Sequence, residues 1–340
     1  MILLMDDCKI FTYTILIPHK DIPDLLQRCL DSIPQRDDIQ IIVVDDNSNP
    51  NKVDFTHFPG LERDNVECYF TKEGKGAGYA RNIGLEHAKG KWLLFADSDD
   101  FFLGGMLDKL DRWKDSDNDI VYFRLSSFCL ETGKESNRHV ASNILSEEYL
   151  SGHISMREYV RSFVGPIGKM ILNKFVMDNH LTYEEVKVAN DVRFAAMSAL
   201  CVHRVAIADD VLYMISERSG SLTRSPKMWE NMNRIRTRLL VLKSVNDYFV
   251  GEGYPELRYD HIRIWALEYS LGFNIGLRSI PLFLYTASLL PLYHLHKPIH
   301  YDNKINSIRN YSYVHLLYYY LKKYSLFHIK KIYSAFHGVK

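Results

Sequence analysis

The chain has 340 residues, 42 of them Lys or Arg and 42 Asp or Glu, so its formal net charge is zero; 46% are apolar and 25% charged. Those proportions are ordinary for a globular protein, leave room for one large domain and a smaller one, and supply no basic excess for binding nucleic acid. Five scattered cysteines (Cys8, Cys29, Cys68, Cys129, Cys201) with no Cys-x-x-Cys argue against a disulfide framework and a zinc site, and fit a reducing, cytoplasmic setting.

The start, Met-Ile-Leu-Leu-Met-Asp-Asp, has no basic n-region and no long apolar stretch, so no signal peptide is expected. Charge is uneven along the chain: residues 269–340 hold nine Lys/Arg and one acid, Asp302, leaving the acidic excess in the first 268. Such asymmetry points to different partners for the two parts.

In chain order, β-branched residues from Thr12 to Ile17 stop at Pro18 and read as a first strand. Asp24 to Ser32 has apolar residues at helical spacing; Ile39 to Val44 is a buried strand ending in Asp45-Asp46-Asn47-Ser48. A short strand, Glu67–Thr71, precedes Gly74-Lys75-Gly76-Ala77-Gly78 and a helix from Tyr79 to Lys89. Trp92–Ala96 is a fourth strand that runs into Asp97-Ser98-Asp99-Asp100. Strands alternating with helices mean βαβ units and a parallel sheet. Beyond Asp100 the spacing predicts a helix near Met106–Lys114, a strand at Asp119–Ser126, and a helix from Ser155 to Phe163. It predicts another helix at Asp191–Ala199, short strands at Val205–Ala208 and Leu212–Ile215, and mostly helix from Trp229 onward.

Two acid clusters thus end buried strands about 50 residues apart, on the edge where open α/β sheets bind ligands. Crowded carboxylates raise one another's pKa unless a cation neutralises them. An Asp-x-Asp pair suits Mg²⁺ or Mn²⁺, which keeps waters and binds through substrate phosphates. The reading is a metal–diphosphate site, with an acidic surface turn as the alternative. The glycines at 74, 76 and 78 do not make G-x-G-x-x-G and follow the third strand, which excludes a dinucleotide fingerprint. They still allow a loop ahead of a helix to approach phosphates, with Arg81 adding charge-assisted contacts, or form a plain loop.

Thr14-Ile-Leu-Ile-Pro18, Leu30-Asp-Ser32 and Ile41-Ile-Val-Val-Asp45-Asp46-Asn-Ser48 resemble the opening of the family 2 glycosyltransferases. Gly78-Tyr-Ala-Arg81-Asn82-Ile-Gly84-Leu, Ala88-Lys-Gly90 and Phe95-Ala-Asp97-Ser98-Asp99-Asp100 continue the pattern in order. The likeness is close over residues 12–102 and looser over 165–225. It implies the GT-A fold, a Rossmann-like, mostly parallel sheet flanked by helices, over residues 1–225, with a mainly helical region at 226–340.

The resemblance further implies an inverting transferase that uses a nucleotide-sugar, UDP-linked by first choice, with Mn²⁺ or Mg²⁺. Pro18, Asp45, Asp46, Arg81, Asp97 and Ser98 would form the donor side: Asp46 at the nucleobase with Asp45 beside it, Arg81 holding the nucleotide, Asp97 at the ribose. Asp99 would ligate the metal. The base that takes the acceptor proton falls in Glu184-Glu185-Val-Lys-Val-Ala-Asn190-Asp191, where the usual Glu-Asp pair reads Asn190-Asp191, so Asp191 is the candidate. Its alternative role is a helix-capping carboxylate. Glu185 is a second candidate base or an acceptor contact.

His19-Lys20 stands where Tyr-Asn is more usual; Lys20 is a phosphate contact or a solvated loop charge. Arg218-Ser-Gly-Ser-Leu-Thr223 resembles an acceptor-side loop and equally a surface turn. The acceptor class implied is a saccharide or lipid-linked saccharide in capsule, O-antigen or exopolysaccharide synthesis.

Residues 279–295 are apolar but broken by Pro281, Pro291 and His294, a weak candidate for a membrane span. Residues 303–336 mix apolar positions with Lys322-Lys323, Lys330-Lys331 and seven tyrosines. They read as a basic amphipathic segment lying on an anionic membrane, on the inner face of the plasma membrane, or as a helical subdomain or homo-oligomer contact. Two other function classes compete: a sugar nucleotidyltransferase, which wants a glycine-rich loop after the first strand, and a non-catalytic carbohydrate-binding protein on the same fold.

Overall fold

The computed structural model describes residues 10–218 and 228–259. The apolar stretch 279–295, the basic segment 303–336 and loop residues 219–223 lie outside the described residues.

The first half alternates strand and helix: β1 (Tyr13–His19), α1 (Pro23–Asp31), β2 (Ile39–Asp46), β3 (Val66–Thr71), α2 (Ala77–His87) and β4 (Trp92–Phe95). Every residue of β1, β2 and β4 is buried, as mainly apolar strands covered on both faces require, including the polar Thr14, His19, Gln40, Asp45 and Asp46. β1 pairs in parallel with β2 and β4, and β2 with β3. The register opposes Pro18 to Val44 and His19 to Asp45, and Asp46 to Thr71. The strand-end acids therefore share one sheet edge.

The second half supplies β5 (Phe101–Phe102), α3 (Met106–Asp111), β6 (Ile120–Cys129), α4 (Val140–Leu150), α5 (Met156–Ser162), β7 (Lys169–Leu172), α6 (Asn173–Asp178), α7 (Val192–Cys201), β8 (Val205–Glu217) and α8 (Met228–Gly251). The eight strands run β3-β2-β1-β4-β7-β6-β8-β5. β7 is antiparallel to both β4 and β6, while β6 and β8 are parallel. The sheet is thus mixed, mostly parallel and flanked by helices, as expected.

The two short strands read at 205–208 and 212–215 are one strand, β8, whose pairing with β6 shifts register at Phe123–Leu125. Asp209 and Asp210 fall at that irregularity and break the apolar pattern. Residues through Arg258 form one compact unit in which α8 packs on α7. Among the described residues no helix is long and apolar enough to cross a membrane, and the four described cysteines are free.

Candidate active site

At the end of β2 two adjacent carboxylates have opposite surroundings. Asp45, 1% exposed, spends both oxygens on the fold. Its Oδ1 accepts from the Ser48 amide at 2.8 Å; its Oδ2 accepts from His19 Nδ1 at 2.7 Å and Ser48 Oγ at 2.5 Å. His19 Nε2 accepts the Ile22 amide at 3.2 Å, so its proton sits on Nδ1, facing Asp45. Burial works to raise the Asp45 carboxyl, but the bonds from His19 and Ser48 outweigh it and hold the group below the usual carboxylate range.

Asp46, 3% exposed, is left half-satisfied. Its Oδ2 accepts from the Gly76 amide at 3.0 Å and lies 3.4 Å from Lys20 Nζ, whereas its Oδ1 is buried without a hydrogen-bond partner. An unpartnered buried acceptor is costly, and an N–H of a bound ligand would relieve it. Lys20 also donates to the Asp46 carbonyl at 2.6 Å.

The glycine loop joins this edge to the segment before α7. Gly76 is left-handed at φ 102°, and a Cβ on it would sit 3.4 Å from the Val186 carbonyl. A Cβ on Gly78 would overlap the Glu184 carbonyl and stand 2.8 Å from Asn190 Cβ. Only glycine lets the start of α2 lie this close to residues 184–190.

The Asp97–Asp100 turn is clamped by the end of β8 and by α1. The Asp97 amide donates to Tyr213 Oη at 2.8 Å, and Asp100 Oδ1 accepts from the Ser216 amide at 2.7 Å. Arg28 Nη2 donates to the Asp99 carbonyl at 2.6 Å and to Ser216 Oγ at 2.8 Å. Arg218 Nε donates to Asp99 Oδ2 at 2.9 Å. Burial, then repulsion from Asp97, raises the Asp99 carboxyl against the pull of Arg218; Asp100 is raised well above its ordinary value by burial, Asp97 and Asp99. The turn is short of positive charge. Among the described residues no three His, Cys, Asp or Glu side chains converge on one metal position. The donor set fits an ion that takes one or two carboxylates and completes its shell with waters and phosphate oxygens.

Arg81 ties this turn to the base side. It is 5% exposed; Nη2 donates to Asp97 Oδ1 at 2.7 Å and Nη1 to Asn190 Oδ1 at 2.9 Å, with the guanidinium 5.3 Å from the Tyr183 ring centre. Asp191 immediately precedes α7, yet its side chain makes no capping bond to that helix. Burial raises its carboxyl, opposed by Arg81, Arg238 and Lys169. Glu185 turns outward into an ion pair with Lys75 at 3.0 Å that bridges two loops.

The structure therefore links Arg81, Asp97, Asn190 and the neighbouring Asp191, joins Arg218 to Asp99, and ties Asp46 through Gly76 to the same loop system. Pro18 and Ser98 are buried beside these acids on β1 and in the turn. Asp45 and Glu185 do not join the network. Sequence reasoning missed Arg28, Tyr213 and Lys169. Arg28 reads as the polar face of an amphipathic helix, and nothing local signals a partner 71 residues away.

The Glycosyl transferase family 2 model matches residues 14–181. The glycosyltransferase GlyG of Streptococcus pneumoniae serotype 4 is 24% identical over 224 residues, 62% of this chain and 73% of that protein. The poly(ribitol-phosphate) beta-glucosyltransferase of Bacillus spizizenii is 27% identical over 218 residues, 61% of this chain; the match spans only 32% of that longer protein. Among solved structures, S. aureus TarS 1-349 in complex with UDP-GlcNAc superposes with a TM-score of 0.54 at 16% identity, covering 81% of this chain and 79% of that one. The mannosyltransferase PcManGT from Pyrobaculum calidifontis, in complex with GDP-Man and Mn²⁺, gives 0.50 at 17% identity, covering 82% and 80%.

Proposed function

Because the chain belongs to glycosyl transferase family 2 and has the GT-A fold, we propose that it moves a sugar from a UDP-sugar to a hydroxyl of a saccharide or lipid-linked saccharide in surface-polysaccharide assembly. It is a glycosyltransferase, which sets aside the nucleotidyltransferase and carbohydrate-binding alternatives. TarS is complexed with UDP-GlcNAc and PcManGT with GDP-Man and Mn²⁺; the diphosphate donor class and a divalent cation are carried over from them, Mn²⁺ or, as the Asp-x-Asp pair equally suits, Mg²⁺.

The reaction is a single displacement with inversion. The acceptor oxygen bonds to the anomeric carbon as the bond to the diphosphate oxygen breaks, and the hydroxyl proton passes to the Asp191 carboxylate. Asp46 accepts a nucleobase N–H on its free Oδ1. Asp97, half exposed, faces the ribose while Arg81 fixes its direction. Asp99 would hold the cation, which would supply charge stabilisation to the departing diphosphate. Asp45 positions Asp46 through the turn at Ser48. Arg218, paired with Asp99, stands on the acceptor side, and Glu185 would meet an acceptor only by leaving its ion pair with Lys75.

The single observation that carries this reading is Asp191. It heads α7 without capping it, and the residue before it, Asn190, bonds Arg81, which bonds Asp97 at the strand end. Two variants test it. With UDP release from UDP-Glc, UDP-Gal or UDP-GlcNAc as the signal and Mn²⁺ present, Asp191→Asn should lower kcat by about 10²–10⁴-fold with donor binding intact. Asp99→Asn should remove the Mn²⁺ dependence of donor binding in calorimetry. Near-normal turnover in Asp191→Asn would discard the base assignment.

Residues 1–225 are proposed to hold the transfer machinery, and 226–340 to be a helical region that touches anionic membrane through 303–336 or pairs two copies. The protein would then act in the cytoplasm, at the inner face of the membrane. Flotation with anionic vesicles, comparing the full chain with one stopped near residue 303, tests the membrane reading: equal flotation removes it and leaves a packed helical subdomain or an oligomer contact.

A further inference from the structure

Arg81 is an unusual cation, because almost nothing about it is free to move. Its side chain is buried, both Nη atoms are committed, and its Nε has no partner to turn toward. Its printed contacts are an ion pair with Asp97 on the donor side and the bond to Asn190, and the charge of Asp191, the next residue on the base side, acts on it at longer range. The third neighbour, Asn190, accepts a hydrogen bond from Nη1 at 2.9 Å while carrying no charge.

Asn190 is itself held. Its carbonyl accepts the Glu184 amide at 3.0 Å, and its Cβ lies where a side chain at Gly78 would have to go. The amide is wedged between the start of α2 and the guanidinium. An aspartate here would be nearly isosteric and would bond the same Nη1, converting a neutral contact into an ion pair.

We propose that Asn190 is a positioning residue whose amide holds the Arg81 guanidinium against Asp97 and one residue from Asp191 without neutralising it, so that the base keeps a nearby cation that an acid at position 190 would take. This rests on the reading of Asp191 as base. The charged and titratable groups facing Asp191 are Arg81 from α2, Lys169 from β7, Arg238 from α8 and Tyr183 from the loop ahead of α7. Those facing Arg81 are Asp97, Asp191 and Tyr183.

The consequence has a definite sign. A carboxylate at 190 draws on Arg81 and also repels the Asp191 anion. Both effects favour protonated Asp191, so the base is lost at a higher pH. The test is the pH profile of kcat/KM, whose acid limb reports the base in the free enzyme. The probe is UDP release from whichever of UDP-Glc, UDP-Gal and UDP-GlcNAc reacts fastest, with water as acceptor and Mn²⁺ present.

Asn190→Asp should move the acid limb up by about one pH unit. Asn190→Ser removes the hydrogen bond without adding charge, so kcat falls while the limb stays. Asp97→Asn frees more of the Arg81 charge for Asp191, so its limb moves down even though turnover is weakened. A melting curve on each variant separates misfolding from retuning; should Asn190→Asp not fold, the downward shift in Asp97→Asn decides. An acid limb unmoved in the folded variants, with Asp191→Asn inactive, overturns the role of Asn190. Full turnover in Asp191→Asn instead overturns the base assignment beneath it.

Discussion

Arg218 Nε donates to Asp99 Oδ2 at 2.9 Å, joining two residues 119 apart in the chain at the one carboxylate read as the metal ligand. Arg218 is thus the built-in counter-charge of Asp99, and a divalent cation held by Asp99 would compete with it for that carboxylate. Without Arg218, burial and Asp97 push the Asp99 carboxyl further up.

Arg218→Ala should therefore steepen the pH dependence of Mn²⁺ binding. In mild acid Asp99 is protonated more readily and affinity falls below wild type. In mild base the competing guanidinium is gone, and affinity equals or exceeds wild type. A relative change of about tenfold across this range, one pKa unit's worth, should be seen in Mn²⁺ titration calorimetry. Parallel curves for the two proteins would mean the ion pair does not govern the site.

Asp45 and Asp46 are neighbours with separable jobs. Asp45 accepts three hydrogen bonds inside the fold, so Asp45→Asn should cost about 2 kcal/mol of stability at neutral pH. Its carboxyl sits below the ordinary range in the folded state. That contribution is present above the unfolded pKa and disappears as pH falls through the folded one, so the two melting curves should converge in acid. Asp46→Asn leaves the fold's own bonds largely in place while changing the free Oδ1 side. It should melt close to wild type but bind UDP at least tenfold more weakly, the equivalent of about 1.4 kcal/mol. Calorimetry with UDP and a thermal melt on both variants check the division. An equal loss of UDP binding in each would refute it.

The legible parts of the chain are those where one local pattern decides the outcome. β1, β2 and β4 are mainly apolar runs buried on both faces, and no helix of that length competes. Asp46, Asp97 and Asp99 end such strands and Asp191 opens a predicted helix, so their positions follow from the elements. The antiparallel insertion of β7 between β4 and β6 is not legible, because four residues, Lys-Met-Ile-Leu, carry too short a period. α4 escaped notice for a related reason. It leaves Val140, Ile144 and Leu150 exposed, so its apolar residues do not form one buried stripe. Asp45 and Asp46 look equivalent as letters. Only the register that sets His19 opposite Asp45 separates structural acid from available acid.

Lys169 gives the last prediction, in stability. It is buried on β7, its Nζ donates to the Phe163 carbonyl at 3.0 Å, and the rings of Tyr122 and Phe163 flank it. Burial pushes the ammonium down to about 7, partly offset by Asp191. Below pH 7 the lysine is protonated folded or unfolded, and folding bears the whole cost of burying the charge. Between pH 7 and its ordinary value the unfolded chain binds more protons, so stability rises with pH. The cost is about 5 kcal/mol at its largest, set against about 1–3 kcal/mol for leaving the Phe163 carbonyl unpaired. Lys169→Met should therefore be the more stable protein at pH 6–7, lose that advantage through pH 8–9, and fall behind near pH 10. Urea unfolding across that range reads the crossing directly. A constant difference at every pH would mean that Lys169 folds with its charge fully compensated.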